Sequence, residues 1–147
     1  MNETKLSKAM KMAAKWHARQ VDKSGVPYVA HLMGVWNRVR QESEEVQCVA
    51  LLHDILEDTE CPGALIANEF PYEVGAAIIA LTHTQGEHYA EYIQRVKKNH
   101  IACIVKLADL ADNTSDFRME HLSAGDKQYF GNRKQTHYLP AIKELQT

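Results

Sequence analysis

Leu51-Leu52-His53-Asp54-Ile55-Leu56-Glu57-Asp58 sets four ionisable side chains into an otherwise apolar stretch. On a helix at about 100° per residue those four fall within an arc of roughly 140°, and the apolar residues cover the rest of the circumference. One imidazole and three carboxylates are costly to bury unless a cation or a proton compensates them. The stretch therefore predicts a buried helix carrying a candidate metal and catalytic face.

Working outward, the apolar spacing is helical almost everywhere, and no run alternates strictly as a half-buried strand would. A first helix is predicted from about Thr4 to Gln20, with Leu6, Met10, Ala13, Ala14 and His17 on one face. Asp22-Lys23-Ser24-Gly25-Val26-Pro27-Tyr28 then breaks the pattern with turn residues. A second helix carries His31 near its start and continues through Val35, Trp36 and Val39. The third begins after Ser43, holds the acidic stripe and ends near Cys61-Pro62-Gly63. Shorter helices follow over Ala64 to Glu69 and, introduced by Pro71, over Tyr72 to Thr82. Periodicity resumes from Tyr89 to Lys98 and from Ile101 to Asn113. A loop near Ser123-Ala124-Gly125 leads into a last helix, Lys127 to Leu145, with a kink expected at Pro140. The expectation is an all-α chain, one compact multi-helix bundle over residues 1–147, without repeats or linkers.

Composition narrows the function. A chain of 147 residues with 45% hydrophobic and 24% charged residues is ordinary for a soluble domain with one core. A formal net charge of -2 makes no electrostatic case for nucleic acid or an anionic membrane. An anionic substrate would then need a local basic patch or a metal. No apolar run approaches the roughly 20 residues of a spanning helix. Cys48, Cys61 and Cys103 form no CxxC pair, and Met1-Asn2-Glu3-Thr4 opens no secretory signal, so a reducing cytoplasm is expected.

Three places combine chemically. His31 follows the turn, His53 and Asp54 are adjacent, and Asp109 follows the apolar run Ile101 to Leu107. Two imidazoles and two carboxylates suit a borderline or hard divalent ion such as Mn²⁺, Fe²⁺ or Zn²⁺. Such an ion acidifies water near neutral pH. Glu57 and Asp58, one turn beyond the His-Asp pair, could hold or deprotonate that water without being ligands. Asp109, Asp112, Asn113 and Asp116 share a face with Lys106, and Asn113 can hydrogen-bond a ribose or phosphate. Each feature alone has a plainer reading: a surface His-Asp pair, a hydrogen-bonded His31, solvated Glu57 and Asp58, a solvent-facing Asp109-to-Asp116 stripe. Their co-occurrence in order, with the pair set in Val49-Ala50-Leu51-Leu52, favours the joint site. His17, His83, His88, His100, His121 and His137 lie near helix ends or in polar stretches and are not expected to be ligands.

Lys23-Ser24-Gly25-Val26-Pro27-Tyr28-Val29-Ala30-His31, Ala50-Leu51-Leu52-His53-Asp54-Ile55-Leu56-Glu57-Asp58-Thr59 and Val105-Lys106-Leu107-Ala108-Asp109-Leu110-Ala111-Asp112-Asn113 together resemble the hydrolase domain of RelA/SpoT-type enzymes. That domain belongs to the HD superfamily of metal-dependent phosphohydrolases. By length the chain is most similar to the stand-alone small alarmone hydrolases and metazoan SpoT homologues. The resemblance implies one Mn²⁺ held by His31, His53, Asp54 and Asp109, with catalytic support from Glu57 and Asp58. It implies a small-molecule nucleotide partner and removal of the 3′-pyrophosphate from ppGpp or pppGpp, giving GDP or GTP. Lys23 and Ser24 would then meet phosphate, Asn113 the sugar, and Lys134 and Tyr138 would lie over the substrate. Two positions depart from the family. Asp22 stands where an arginine usually precedes the lysine, and Leu32 where a proline usually follows the first histidine. A carboxylate cannot stack on a purine as a guanidinium does, so Asp22 bears on base preference; Arg19, Arg118 or Arg133 are candidates to replace that arginine. The same metal chemistry on ppApp or on the 2′-phosphate of NADPH is the alternative enzyme reading, and a non-catalytic nucleotide-binding regulatory module is the third. The intact set of ligands and carboxylates argues against the last.

Overall fold

The computed structural model describes residues 2–115, 118, 120 and 122–147. The expected class holds: the elements are helices, with no strand among the described residues. They are α1 (Lys5–Trp16), α2 (Val29–Asn37), α3 (Glu44–Leu52), α4 (Ile55–Asp58), α5 (Gly63–Glu69), α6 (Tyr72–Leu81), α7 (Tyr89–Lys97), α8 (His100–Asn113), α9 (Ala124–Arg133) and α10 (Leu139–Leu145). Side-chain oxygens cap several starts, where the first N–H groups lack intrahelical partners. Thr4 accepts from the Ser7 N–H, Ser43 from Val46, Asn99 from Ala102 and Ser123 from Asp126.

The middle of the bundle is α3. Cys48, Val49, Ala50, Leu51 and Leu52 are consecutive and all buried, which a helix tolerates only when neighbours surround it. Those neighbours are α1, α2, α6 and α8. No helix among the described residues is long and apolar enough to cross a membrane.

The structure departs from the sequence reading in three places. First, α1 stops at Trp16, and its buried face is Ala9, Ala13 and His17, while Ala14 is exposed. The chain then folds into a tight hairpin. Asp22 Oδ1 accepts the N–H groups of Ser24 (2.8 Å) and Val26 (3.0 Å), Val21 bridges Pro27, and Gly25 supplies a φ of +80°. Second, the acidic stripe does not ride on one helix. The third helix ends at Leu52, and His53-Asp54 forms a turn before α4. Asp54 sits near φ -100°, ψ 1°, outside the helical well, and the His53 ring takes the Ala50 carbonyl at 2.7 Å. Third, the last helix begins earlier, at Ala124, and widens into a π-helical stretch, Lys134–Tyr138, ahead of Pro140. Proline has no N–H to donate and its ring crowds the carbonyl four residues back, and a wide turn relieves both. Asp116, on the expected polar face of α8, lies outside the described residues.

Candidate metal centre and its cavities

Adjacent residues on a regular helix point about 100° apart and cannot meet at one point. The break between α3 and α4 removes that restriction for His53 and Asp54. One ligand atom each from His31, His53 and Asp54 lies within 4.8 Å of the other two. From α8, Asp109 Oδ1 comes 2.9 Å from His31 Nε2 and 3.4 Å from His53 Nε2. The four residues separated in the sequence thus converge, with His31, His53 and Asp109 buried.

The neighbours fix which atoms face inward. His53 Nδ1 can only donate to the Ala50 carbonyl, so Nε2 of the neutral ring carries a lone pair. That buried nitrogen has no hydrogen-bond partner, although Asp54 Oδ2 is 3.1 Å away. His31 repeats the pattern: Nδ1 meets Asp112 Oδ2 at 2.7 Å, which turns Nε2 toward Asp109. Lone pairs and carboxylates aimed into one dry space repel unless a cation or protons lie between them. A borderline divalent cation fits this donor set, with Asp112 and the Ala50 carbonyl orienting the two imidazoles from behind.

The electrostatics agree. Burial alone would neutralise His31 and His53, yet Asp109, with Asp112 for the first and Asp54 for the second, raises both above the ordinary histidine value. Burial would raise Asp109, but Lys106 and then the histidines hold it well below the carboxylate range. Asp54 is held low in the same way, by His53. Tyr28 Oη also donates to Asp54 Oδ2.

Glu57 and Asp58 are more exposed than this cluster, and Glu57 lines one cavity together with Asp54. Glu57 Oε1 accepts the His83 N–H at 2.7 Å, and Asp58 Oδ2 accepts from Gln20 Nε2 at 3.2 Å. Gln20 in turn takes the buried His17 ring on its Oε1, at 2.7 Å. Desolvation, with the Asp54 charge behind it, pushes both carboxyls up, the direction that suits groups exchanging protons near neutrality.

Several cavities open beside the centre, one of about 210 Å³ against His31 and Asp112, and two others bear on the sequence-selected residues. One, of about 430 Å³, has Asp54, Glu57, Lys106, Arg133 and His137 in its walls together with His83, Glu87, Tyr89 and Tyr92. The other, of about 260 Å³, is lined by Asp22, Lys23, Ser24, Tyr28, Asn113, Arg118 and Phe130, among others. The first pairs acidic and basic walls. The second mixes an aromatic pair with a guanidinium.

Other sequence-selected residues fall around these cavities unevenly. Lys23 lies 4.2 Å from the Tyr129 ring centroid and 4.0 Å from Asp126 Oδ1. The Asn113 amide donates to Asp109 Oδ1 at 3.2 Å while its residue lines the smaller cavity. Lys134 lines neither cavity, and Tyr138 packs on the core with Arg133 Nε 3.4 Å from its hydroxyl. Arg133, just ahead of the π-helical stretch, and His137, within it, face the larger cavity instead. Of the arginines weighed against Asp22, Arg118 reaches it at 3.8 Å.

Sequence reasoning gave no role to Lys106, Asp112, Tyr28 or His137. Lys106 is nearly buried, with Nζ 3.0 Å from Asp109 Oδ2. An i, i+3 charge pair, with Lys106 inside the apolar run Ile101 to Leu107 and Asp109 just beyond it, was a readable signal for it; nothing in the sequence marked His137.

Helices surround a buried His/Asp cluster that could hold a metal ion, with charged cavities beside it. The HD domain family model matches residues 9–127, and the chain belongs to that family. Among curated proteins it is 27% identical over 124 residues to a probable GTP pyrophosphokinase of Mycobacterium leprae, covering 77% of this chain and 16% of that one. It is 29% identical over 133 residues to a probable guanosine-3′,5′-bis(diphosphate) 3′-pyrophosphohydrolase of Mycoplasma pneumoniae, covering 75% and 18%. The same-named enzyme of Aquifex aeolicus matches at 28% over 118 residues, covering 74% and 17%. The chain thus spans less than a fifth of the length of these relatives. A solved structure of a metazoan orthologue of SpoT, which hydrolyses ppGpp and plays a role in starvation responses, aligns over 99% of this chain and 95% of its own. Its TM-score is 0.74 at 24% identity, a likeness of fold.

Proposed function

We propose that this chain is one HD-type hydrolase domain that uses Mn²⁺ to remove the 3′-pyrophosphate of ppGpp and pppGpp, yielding GDP or GTP. The observation that carries the metal chemistry is the buried, unpartnered Nε2 of His53 among the His31, Asp54 and Asp109 groups. The substrate rests on the names of the relatives. His31, His53, Asp54 and Asp109 would hold the ion, which acidifies water and offsets charge on phosphoryl oxygens.

The chain's own groups do the rest. Glu57 takes the proton of the attacking water, aided by Asp58, and either carboxyl returns it to the departing 3′ oxygen. The water oxygen joins the phosphorus, the bond from phosphorus to the 3′ oxygen breaks, and pyrophosphate leaves. Lys106, Arg133 and His137 meet the polyphosphate charge from the walls of the larger cavity. Lys23, Ser24, Asn113 and Arg118 are the nucleoside-side contacts in the smaller one. Lys134 and Tyr138 act at one remove, through the helix that presents Arg133.

The test is turnover of ppGpp, pppGpp, ppApp and NADPH by the Mn²⁺-loaded protein, with products separated by ion exchange. Release of pyrophosphate from the guanine nucleotides, abolished by EDTA, is expected. Phosphate or pyrophosphate only from ppApp or NADPH would move the substrate, and no product from any of them would end the enzyme reading. Asp54→Ala should lose metal and rate together, whereas Glu57→Gln should keep the metal and lose rate. Equal metal loss in both would refute this division of roles.

A further inference from the structure

Glu57 is held by a loop, and the loop is held by one arginine. Helix α6 ends at Leu81, and its last carbonyls need partners from outside. Side chains of α7 supply them. Arg95 Nη1 donates to Ile79 O (3.2 Å) and Ala80 O (2.9 Å), and Nη2 donates to Thr82 O (2.9 Å). Tyr92 Oη takes the carbonyl between, Leu81 O, at 2.7 Å. The remaining edge of the guanidinium grips Glu87, through Nε to Oε2 (3.1 Å) and Nη2 to Oε1 (2.9 Å). Glu87 itself closes the next turn: its Oε1 accepts the Thr84 N–H, its N–H donates to Thr84 O, and Gly86 provides a φ of +82°. Residue 83 is therefore fixed from both sides, and its N–H is the group that donates to Glu57 Oε1.

We propose that Arg95, acting with Glu87, is the positioning residue for Glu57: the clamp aims the His83 N–H, and that N–H fixes which carboxylate oxygen faces the cavity. This rests on the role given to Glu57 above. Among the described residues Glu57 Oε1 has no other hydrogen-bond donor, so the carboxyl is free to turn once the loop relaxes. A misplacement of about 1 Å in a reacting group can cost on the order of a hundredfold in rate. A fivefold grip by a planar guanidinium is one that lysine cannot copy.

The test uses Mn²⁺-loaded protein and ppGpp, with R95Q, E87Q, E57Q and the double variant R95Q/E57Q. R95Q is expected to lower kcat about tenfold or more while KM and bound Mn²⁺ stay as in the unaltered chain. In the E57Q background the same change should cost less than about twofold, since the group it positions is already disabled. Amide exchange at His83 should quicken in R95Q and E87Q while that of Val49 in α3 is unchanged. An equal loss of kcat from R95Q in both backgrounds overturns the proposal, as does undiminished His83 protection. If E57Q turns over at full rate, the role of Glu57 fails first and the clamp with it; a slow E57Q with additive losses sinks the clamp alone. Should R95Q not fold, E87Q leaves the helix-end carbonyls capped and carries the same comparison.

Discussion

Gly34 is the most economical lever on the candidate metal centre, though it is none of the four residues that would hold the ion. A Cβ placed there would stand 2.5 Å from Asp112 Oδ1, 3.1 Å from its Cγ and 3.3 Å from Oδ2. The nearest of these is about 1 Å inside an ordinary non-bonded contact. Helix α2 is locked between α3 and α8, so the Asp112 carboxylate is what must give. The same carboxylate orients His31 through the 2.7 Å contact with Nδ1. Losing such a partner of a ligating histidine costs about 10- to 100-fold in metal affinity, or roughly 1.4 to 2.7 kcal/mol. Alanine is better than glycine in a helix interior by about 0.5–1 kcal/mol, which offsets part of the roughly 1.5–3 kcal/mol lost with the contact between Asp112 and His31. Gly34→Ala is therefore expected to raise the Mn²⁺ dissociation constant by that factor while the metal-free Tm falls by no more than a few degrees, about what the net loss implies. Calorimetric titration with Mn²⁺ beside a melt of the metal-free protein separates the two effects. Unchanged Mn²⁺ affinity would refute the claim that Asp112 holds His31 for the ion.

Glu57 and Asp58 have raised folded-state pKa values, so the folded chain binds their protons more tightly than the unfolded one. The stability this brings is complete below the unfolded pKa and is lost as pH rises through the folded value. Glu57→Gln and Asp58→Asn should consequently melt higher than the unaltered chain at about pH 8, with the gain fading toward about pH 4; a gain that grows on acidification would reverse the assignment. Lys106→Met strips Asp109 of its buried cation and should cost about 3 kcal/mol in urea unfolding, and a loss under about 1 kcal/mol would show that the histidines alone suffice. Mn²⁺ at about a hundred times its dissociation constant should add about 2.7 kcal/mol of stability, and Asp54→Asn should abolish the increment; an increment that survives would place the ion elsewhere.

The helical class and the convergence of His31, His53, Asp54 and Asp109 were legible because both rest on strong signals. Apolar periodicity reports burial directly, and a histidine beside a carboxylate in an apolar run is expensive without a partner. The break at His53-Asp54 was not legible. Leu51 to Asp58 contains no glycine or proline, and the turn is held by a local contact, the His53 ring on the Ala50 carbonyl three residues back, that no turn residue announces. Lys134 and Tyr138 came from the resemblance, carried onto a last helix expected to run from Lys127 to Leu145, and the stretch that holds both is π-helical ahead of Pro140. Gly34 and Arg95 lay beyond sequence reasoning for a different reason: their importance resides in what approaches them from another helix.

The wide turn at Lys134–Tyr138 also sets a length tolerance. Helix α10 buries Ala141 and Leu145 in the core, while Arg133 on the near side of the turn faces the larger cavity. The stretch is a spacer of one residue between two anchored ends. Five residues of π-helix turn through about as much as four of α-helix, so removing one residue would restore α-geometry with Arg133, Ala141 and Leu145 kept on their faces, whereas forcing all five into α-geometry would rotate everything beyond by roughly 90°. A one-residue deletion is therefore expected to be absorbed here and a further insertion is not, so chains sharing this arrangement ought to differ across 134–138 by the loss of one residue rather than by a gain.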